Sequence, residues 1–158
     1  MRLNVFCAAM LALLLLLPVR GWSADTKVEA KADAKADAKV DDTTGTWTAE
    51  SAEMAGMAMP SEFCKGIKLV IKGDKYKMTV NNQVEEGTSK ADATVTPKTL
   101  DVMGNSGPNK GKTLKAIYEL DGDKLKVCYD LSGSARPTEF KTSAGTQQFM
   151  VTYKKSKG

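Results

Sequence analysis

The sequence predicts an all-β domain: an eight-stranded antiparallel barrel in up-and-down order, with one short helix after the first strand. Three observations predict it. From Thr43 onward, apolar and polar side chains alternate in short segments, the period of a half-buried strand. Between the segments stand Ala55-Gly56, Gly73-Asp74, Asn81-Asn82 and Asp121-Gly122-Asp123, the residue types of tight hairpin turns. Each connection is short enough for antiparallel neighbours, and closing the strands into a barrel removes the exposed edges.

Thr46 to Met54 reads as the first strand, ended by Ala55-Gly56. Pro60-Ser61-Glu62-Phe63-Cys64-Lys65-Gly66 reads as one helical turn. Ile67 to Lys72 and Lys75 to Val80 alternate on either side of Gly73-Asp74. Val84 to Lys90 is a weaker strand after Asn81-Asn82. Lys98 to Met103 follows Pro97, and a glycine-rich loop runs from Gly104 to Lys112. Thr113 to Leu120 and Lys124 to Leu131 flank the Asp-Gly-Asp turn. A loop through Pro137 leads to the last strand, Thr146 to Lys154. The run Gly73-Asp74-Lys75-Tyr76-Lys77 is echoed by Gly122-Asp123-Lys124-Leu125-Lys126, which supports hairpin units.

Period two assigns the inward faces. They are Ile67, Leu69, Ile71; Tyr76, Met78, Val80; Leu100, Val102; Leu114, Ala116, Tyr118, Leu120; Leu125, Val127, Tyr129, Leu131; and Phe149, Val151, Tyr153. Opposite them stand Lys68, Lys72, Lys75, Lys77, Lys124, Lys126 and Lys154, which mark a wet outer face and protect edges. Trp47 shares its face with the small Ala49 and Ser51, so it is expected to lie buried at one barrel end. The weak strand would turn Gly87, Ser89 and Ala91 inward, thinning one wall. The lumen candidates for ligand contact are Trp47, Leu69, Ile71, Tyr76, Met78, Ser89, Tyr118, Val127, Tyr129 and Phe149.

The residues before the barrel read differently. Arg2 precedes an unbroken apolar run from Val5 to Leu17, ended by Pro18. That is shorter than the roughly 18 residues of a membrane span. Small residues at Gly21 and Ser23 suit cleavage after Ser23, with Ala24 as the alternative, so residues 1–23 read as a secretory signal peptide. Residues 24–42 repeat Lys, Ala and acidic residues, with Lys27, Lys31, Lys35 and Lys39 at intervals of four. Such a segment cannot bury a core and reads as a charged, flexible tether. The domain proper is then 43–158. The expected location is the periplasm or the exterior, with no membrane span in the mature chain.

Composition excludes several functions. The chain has no His, so Ser-His-Asp and Cys-His catalysis are ruled out, as are His-containing zinc sites. No enzyme activity and no cofactor are expected. Without the leader, 21 basic and 19 acidic residues remain, a net charge of +2. That is too weak to argue for nucleic acid. The segment Gly107-Pro108-Asn109-Lys110-Gly111-Lys112-Thr113 fails as a phosphate loop, because Ser106 stands where the first glycine belongs and a strand follows. Met54, Met57 and Met59 are thioethers of the kind that bind Cu(I), or else a flexible patch packing over a barrel mouth. Cys64 and Cys128 remain after export and allow one disulfide; the alternative is two separate buried thiols.

Gly45-Thr46-Trp47 is the G-x-W pattern that opens lipocalins. The stretches KGIKLVIKGDKY at 65–76, GPNKGKT at 107–113, IYELDGDKLKVCYD at 117–130 and RPTEFKT at 136–142 extend the likeness. Together they cover most of the domain, which resembles a planctomycete family of small exported lipocalin-like domains of uncharacterised function. The resemblance implies a lipocalin-like barrel whose Trp closes the floor beneath an Arg; here Arg136 lies in a loop before the last strand. It transfers no activity. The expected function is binding of a small apolar molecule in the barrel. The alternative is a structural or protein-interaction module of the cell envelope, with a filled barrel.

Overall fold

The computed structural model describes residues 41–157. The expected signal peptide, and the expected tether up to residue 40, lie outside the described residues. Asp41 already touches the barrel, its carboxylate 2.6 Å from the Lys98 ammonium.

The strands are β1 (Gly45–Met54), β2 (Met57–Ala58), β3 (Ile67–Lys72), β4 (Lys75–Val80), β5 (Gln83–Asp92), β6 (Lys98–Gly104), β7 (Thr113–Asp121), β8 (Lys124–Asp130) and β9 (Gln148–Lys155), with helix α1 (Ser61–Lys65) between β2 and β3. The two-residue β2 folds back on β1; the other eight pair in chain order, and β1 pairs with β9 to close the barrel. This is the expected up-and-down topology. The tight turns carry the backbone their residues suggest. Asn81 and Asn82 adopt φ of 47° and 71°, while Gly73 and Gly122 take 61° and 54°, the positive angles that two-residue hairpins need.

Up-and-down order gives the barrel two unlike ends. One carries the β3–β4, β5–β6 and β7–β8 connections. The other carries α1, the β4–β5 turn, the loop 105–112 and the long loop 131–147. Every apolar residue expected to face inward from β3, β4 and β6 to β9 belongs to the buried core or packs directly against it.

Trp47 closes the first end. It is wholly buried, and its indole Nε1 donates to the Thr43 carbonyl at 2.9 Å, so its one polar atom is satisfied. A cation lies over the ring, but it is the Lys155 ammonium, 5.4 Å from the ring centroid. Gly45 makes room for that lysine: its φ is +146°, and a Cβ there would meet Lys155 Cε at 2.7 Å. Arg136 sits elsewhere, on the outside of β6 and β7. It donates to the carbonyls of Leu100 and Ala116 at 3.0 and 2.6 Å and to the Asp101 carboxylate. Arg136 is therefore not the counterpart of the Arg that the lipocalin resemblance implies over the floor Trp.

The alternation expected of the first strand is corrected as well. The β1–β9 register shifts between Ala49 and Ser51, so Glu50 is an extra residue and the alternation inverts beyond it. Ala52 is buried and Ser51 exposed, the reverse of a regular strand. Of the two readings open for the cysteines, the structure shows the second: Cys64 and Cys128 are both free and buried. Cys64, on α1, belongs to the barrel core. Cys128 points outward between the inward Val127 and Tyr129, and its thiol donates to the Lys141 carbonyl at 3.7 Å. The barrel wall separates the two sulfurs.

The long loop 131–147 explains why an outward residue is buried. Ile117 pairs with Cys128 on the outer face, and both are 0% exposed. Pro137 and Thr142 of the loop are buried over them. Thr142 ties the loop down: its hydroxyl donates to the Glu53 carboxylate and accepts from the Gly56 amide at 2.8 Å. Asp130 shapes the loop's start by accepting from the Ser132 hydroxyl and from the Ser132 and Ala135 amides. Burial pushes the Asp130 carboxyl up, but these hydrogen bonds outweigh it and hold it below the usual carboxylate range.

The floor residue offers a direct test. Trp47→Ala should cost about 3–5 kcal/mol, as for other buried large aromatics, read as a fall in the urea midpoint. A loss near zero would remove the floor assignment.

Candidate functional site

The second end of the barrel is open. A cavity of about 250 Å³ enters the lumen there. Its deep wall is aliphatic: Leu69 and Ile71 from β3, Leu100 and Val102 from β6, and Leu114 from β7. Tyr129 and Phe149 form one aromatic side, their ring centroids 6.4 Å apart. At the rim stand Phe63 of α1, Met54, Val80, Gln83, Leu131, Pro108 and Asn109.

The expected lumen residues divide by depth. Leu69, Ile71, Tyr76, Met78, Ser89, Tyr129 and Phe149 line the cavity. Trp47, Tyr118 and Val127 do not; they are sealed in the filled core at 0, 2 and 1% exposure. The expected thin wall is also half right. At Gly87 the gap is taken by the Tyr76 ring, whose Cε1 would stand 2.6 Å from any added Cβ. At Ser89 the space remains, and the side chain faces the cavity. Met54 and Met57 are cross-strand partners. Even so, Met54 and Met59 pack on the core while Met57 is 69% exposed. Among the described residues no group of three or more His, Cys, Asp or Glu is placed to hold a metal ion.

The most distinctive group in the cavity is Glu85, which the sequence reading passed over. It lies on β5 two residues before Gly87, on the same inward face, and is 8% exposed. One carboxylate oxygen accepts from the Tyr76 hydroxyl at 2.6 Å, the other from Asn109 Nδ2 at 2.7 Å. The signal for it was present: alternation from Gly87, Ser89 and Ala91 carried back one step reaches Glu85. Asn109 had no such signal, since only the fold of the 105–112 loop brings it to the rim. That loop returns on itself through a bridge between Gly104 and Lys110.

The phenols are held strongly neutral. Burial, then the hydrogen bond to Glu85, pushes the Tyr76 hydroxyl far above its ordinary value. Burial pushes Tyr129 up to about 12. Burial and then the Asp41 charge push Tyr118 up to about 12, and burial raises Tyr153 well above 10.0. The hydroxyls of Tyr118 and Tyr153 are buried with no hydrogen-bond partner, a cost to the closed end that its packing must offset.

The chain matches no family model, no curated protein and no solved structure. What the fold and site define is therefore a class by geometry: a small up-and-down β-barrel, floored by tryptophan at one end and open to an apolar chamber at the other. Among the described residues no helix is long and apolar enough to cross a membrane.

The four tyrosines make alkali a sensitive probe. In the unfolded chain they ionise near 10, whereas in the barrel they keep their protons to about 12 or beyond. The folded state then binds more protons, so stability is full below pH 10 and falls as pH rises through 12. Phenolate absorbance at 295 nm should stay flat through pH ~10.5 and then rise in one step with unfolding. A gradual rise centred near pH ~10 would contradict the burial of these rings.

Proposed function

We propose that this chain is an exported, lipocalin-like binding protein that holds a small apolar molecule in the open end of its barrel. The observation that carries the reading is the cavity itself, about 250 Å³ bounded mostly by Leu, Ile, Val and aromatic side chains. Dry apolar cavities of about 150 Å³ already admit a benzene-sized guest, so there is room for a larger one. Small-molecule sites are typically apolar chambers with a few converging polar groups, often in barrel mouths, and the inward Glu85, Asn109, Ser89 and Tyr129 supply such groups. The apolar run at Val5 to Leu17 supports export, and the sequence stretches named above support membership of the planctomycete lipocalin-like family. With no His in the chain and no chemistry required of the chamber, the reading is binding rather than catalysis.

Ser89 gives the test. Wild-type protein should bind 1-octanol by titration calorimetry, and Ser89→Phe should abolish that binding while keeping or raising stability, because the ring fills a void. If Ser89→Phe instead costs about 1–3 kcal/mol, the usual overpacking penalty, and octanol does not bind the parent, the chamber is not a binding site. The filled-barrel envelope module then replaces this reading.

A further inference from the structure

We propose that the guest is an apolar cation, an amine whose ammonium group pairs with Glu85 while its hydrocarbon part fills the aliphatic depth of the cavity. The inference rests on the binding reading above and deepens it by naming the head group.

The argument starts from a conflict on β5. Val84 is 43% exposed while the adjacent Glu85 is 8% exposed. A strand built for stability alone would turn the valine in and the carboxylate out, and a one-residue slip would do so. The register instead pairs Met78 with Glu85 and Tyr76 with Gly87, which drives the acid into the lumen. A local rule broken in this way marks a functional position more often than a structural one.

The carboxylate is held but not neutralised. Tyr76 and Asn109 each donate one hydrogen bond, and both donors are uncharged. A carboxylate has about four acceptor directions, so about half remain free. The ion pairs among the described residues join Lys65 to Glu62, Lys77 to Glu86, Lys98 to Asp41, Lys126 to Glu119, Arg136 to Asp101 and Lys154 to Glu50; Glu85 is in none of them. Among the described residues no Lys or Arg lines the cavity. A charge out of water without a counter-charge is costly, and pairing removes much of that cost. The described residues supply no such partner, and a bound ammonium would.

The position along the barrel also fits. Glu85 is the third residue of β5, close to the β4–β5 turn at the open end, while Leu100, Val102 and Leu114 lie on the cavity wall formed by β6 and β7. An amine would enter tail first and keep its head near the rim, where less of its hydration is lost.

Three probes of equal chain length separate the possibilities by calorimetry at neutral pH: octylamine, 1-octanol and octanoate. Octylammonium should bind wild-type protein at least about tenfold tighter than octanol, the effect of one charge-assisted contact, and octanoate should not bind. Glu85→Gln should retain octanol binding and erase the preference. Equal binding of octylammonium and octanol to wild type, or tighter binding of octanoate, overturns the inference and leaves the apolar-binding reading standing. Failure of all three probes overturns both. The wild-type ranking decides the matter even if Glu85→Gln does not fold.

Discussion

β1 hydrogen-bonds to two strands at once, and closure of the sheet depends on it. Residues 45–48 pair with β3, and residues 47–54 pair with β9. The first half of the strand therefore has neighbours on both sides, while the second half has β9 on one side and β2 with α1 on the other. The extra residue at Glu50 reconciles the two halves, because a bulge bends a strand and increases its twist. It lets Trp47 and Ala52 both face the interior although they are an odd number apart. Remove that closure and β9 becomes an open edge, Lys155 leaves the indole, and the floor has no lid.

The two ends follow from the sizes of the side chains closure brings together. At the floor, Trp47, Tyr118, Leu125, Val127 and Tyr153 occupy the space fully. Along β5, running from the open end, the inward positions are Glu85, Gly87, Ser89 and Ala91; the Tyr76 ring covers the glycine, and Ser89 lines the cavity. The packed core and the open chamber are thus separated along the axis. The floor is buried and aromatic, and the chamber is bounded partly by loops anchored at specific points. Thr142 anchors one loop to Glu53, and Asn109 anchors another to Glu85.

Much of this was legible in the sequence, for a simple reason. Period-two alternation and turn chemistry act over a few residues, so the strands, the Asn-Asn and Gly-Asp hairpins and the inward faces of β3, β4, β7, β8 and β9 can be read locally. What was not legible depends on contacts between distant residues. The bulge at Glu50 arises from reconciling two partners of β1, and nothing in the local run Ala49-Glu50-Ser51 announces it. The burial of Ile117 and Cys128 on the outer face depends on where residues 131–147 lie down, which a strand pattern cannot tell. The same loop decides the cysteine question: alternation alone placed Cys128 outward, but only the fold shows Cys64 held on the other side of the wall. Lys155 stands over Trp47, where the lipocalin resemblance implies an arginine, because β9 runs past the floor, a matter of strand length and not of motif.

Glu85 was both legible and overlooked, and the reason bears on function. Reading a strand by its hydrophobic residues favours Val84 as the inward member of the pair, since burying a valine is favourable and burying a carboxylate is not. The register is nevertheless set by the whole β4–β5 ladder, where Tyr76 against Gly87 and Met78 against Glu85 act together. The ladder fixes the acid inside, and Tyr76 and Asn109 then hold it by hydrogen bonds without supplying a positive charge. Two neutral donors orient a carboxylate while leaving its field directed into the chamber. The arrangement present leaves the acid inside the barrel with two uncharged donors, Tyr76 and Asn109.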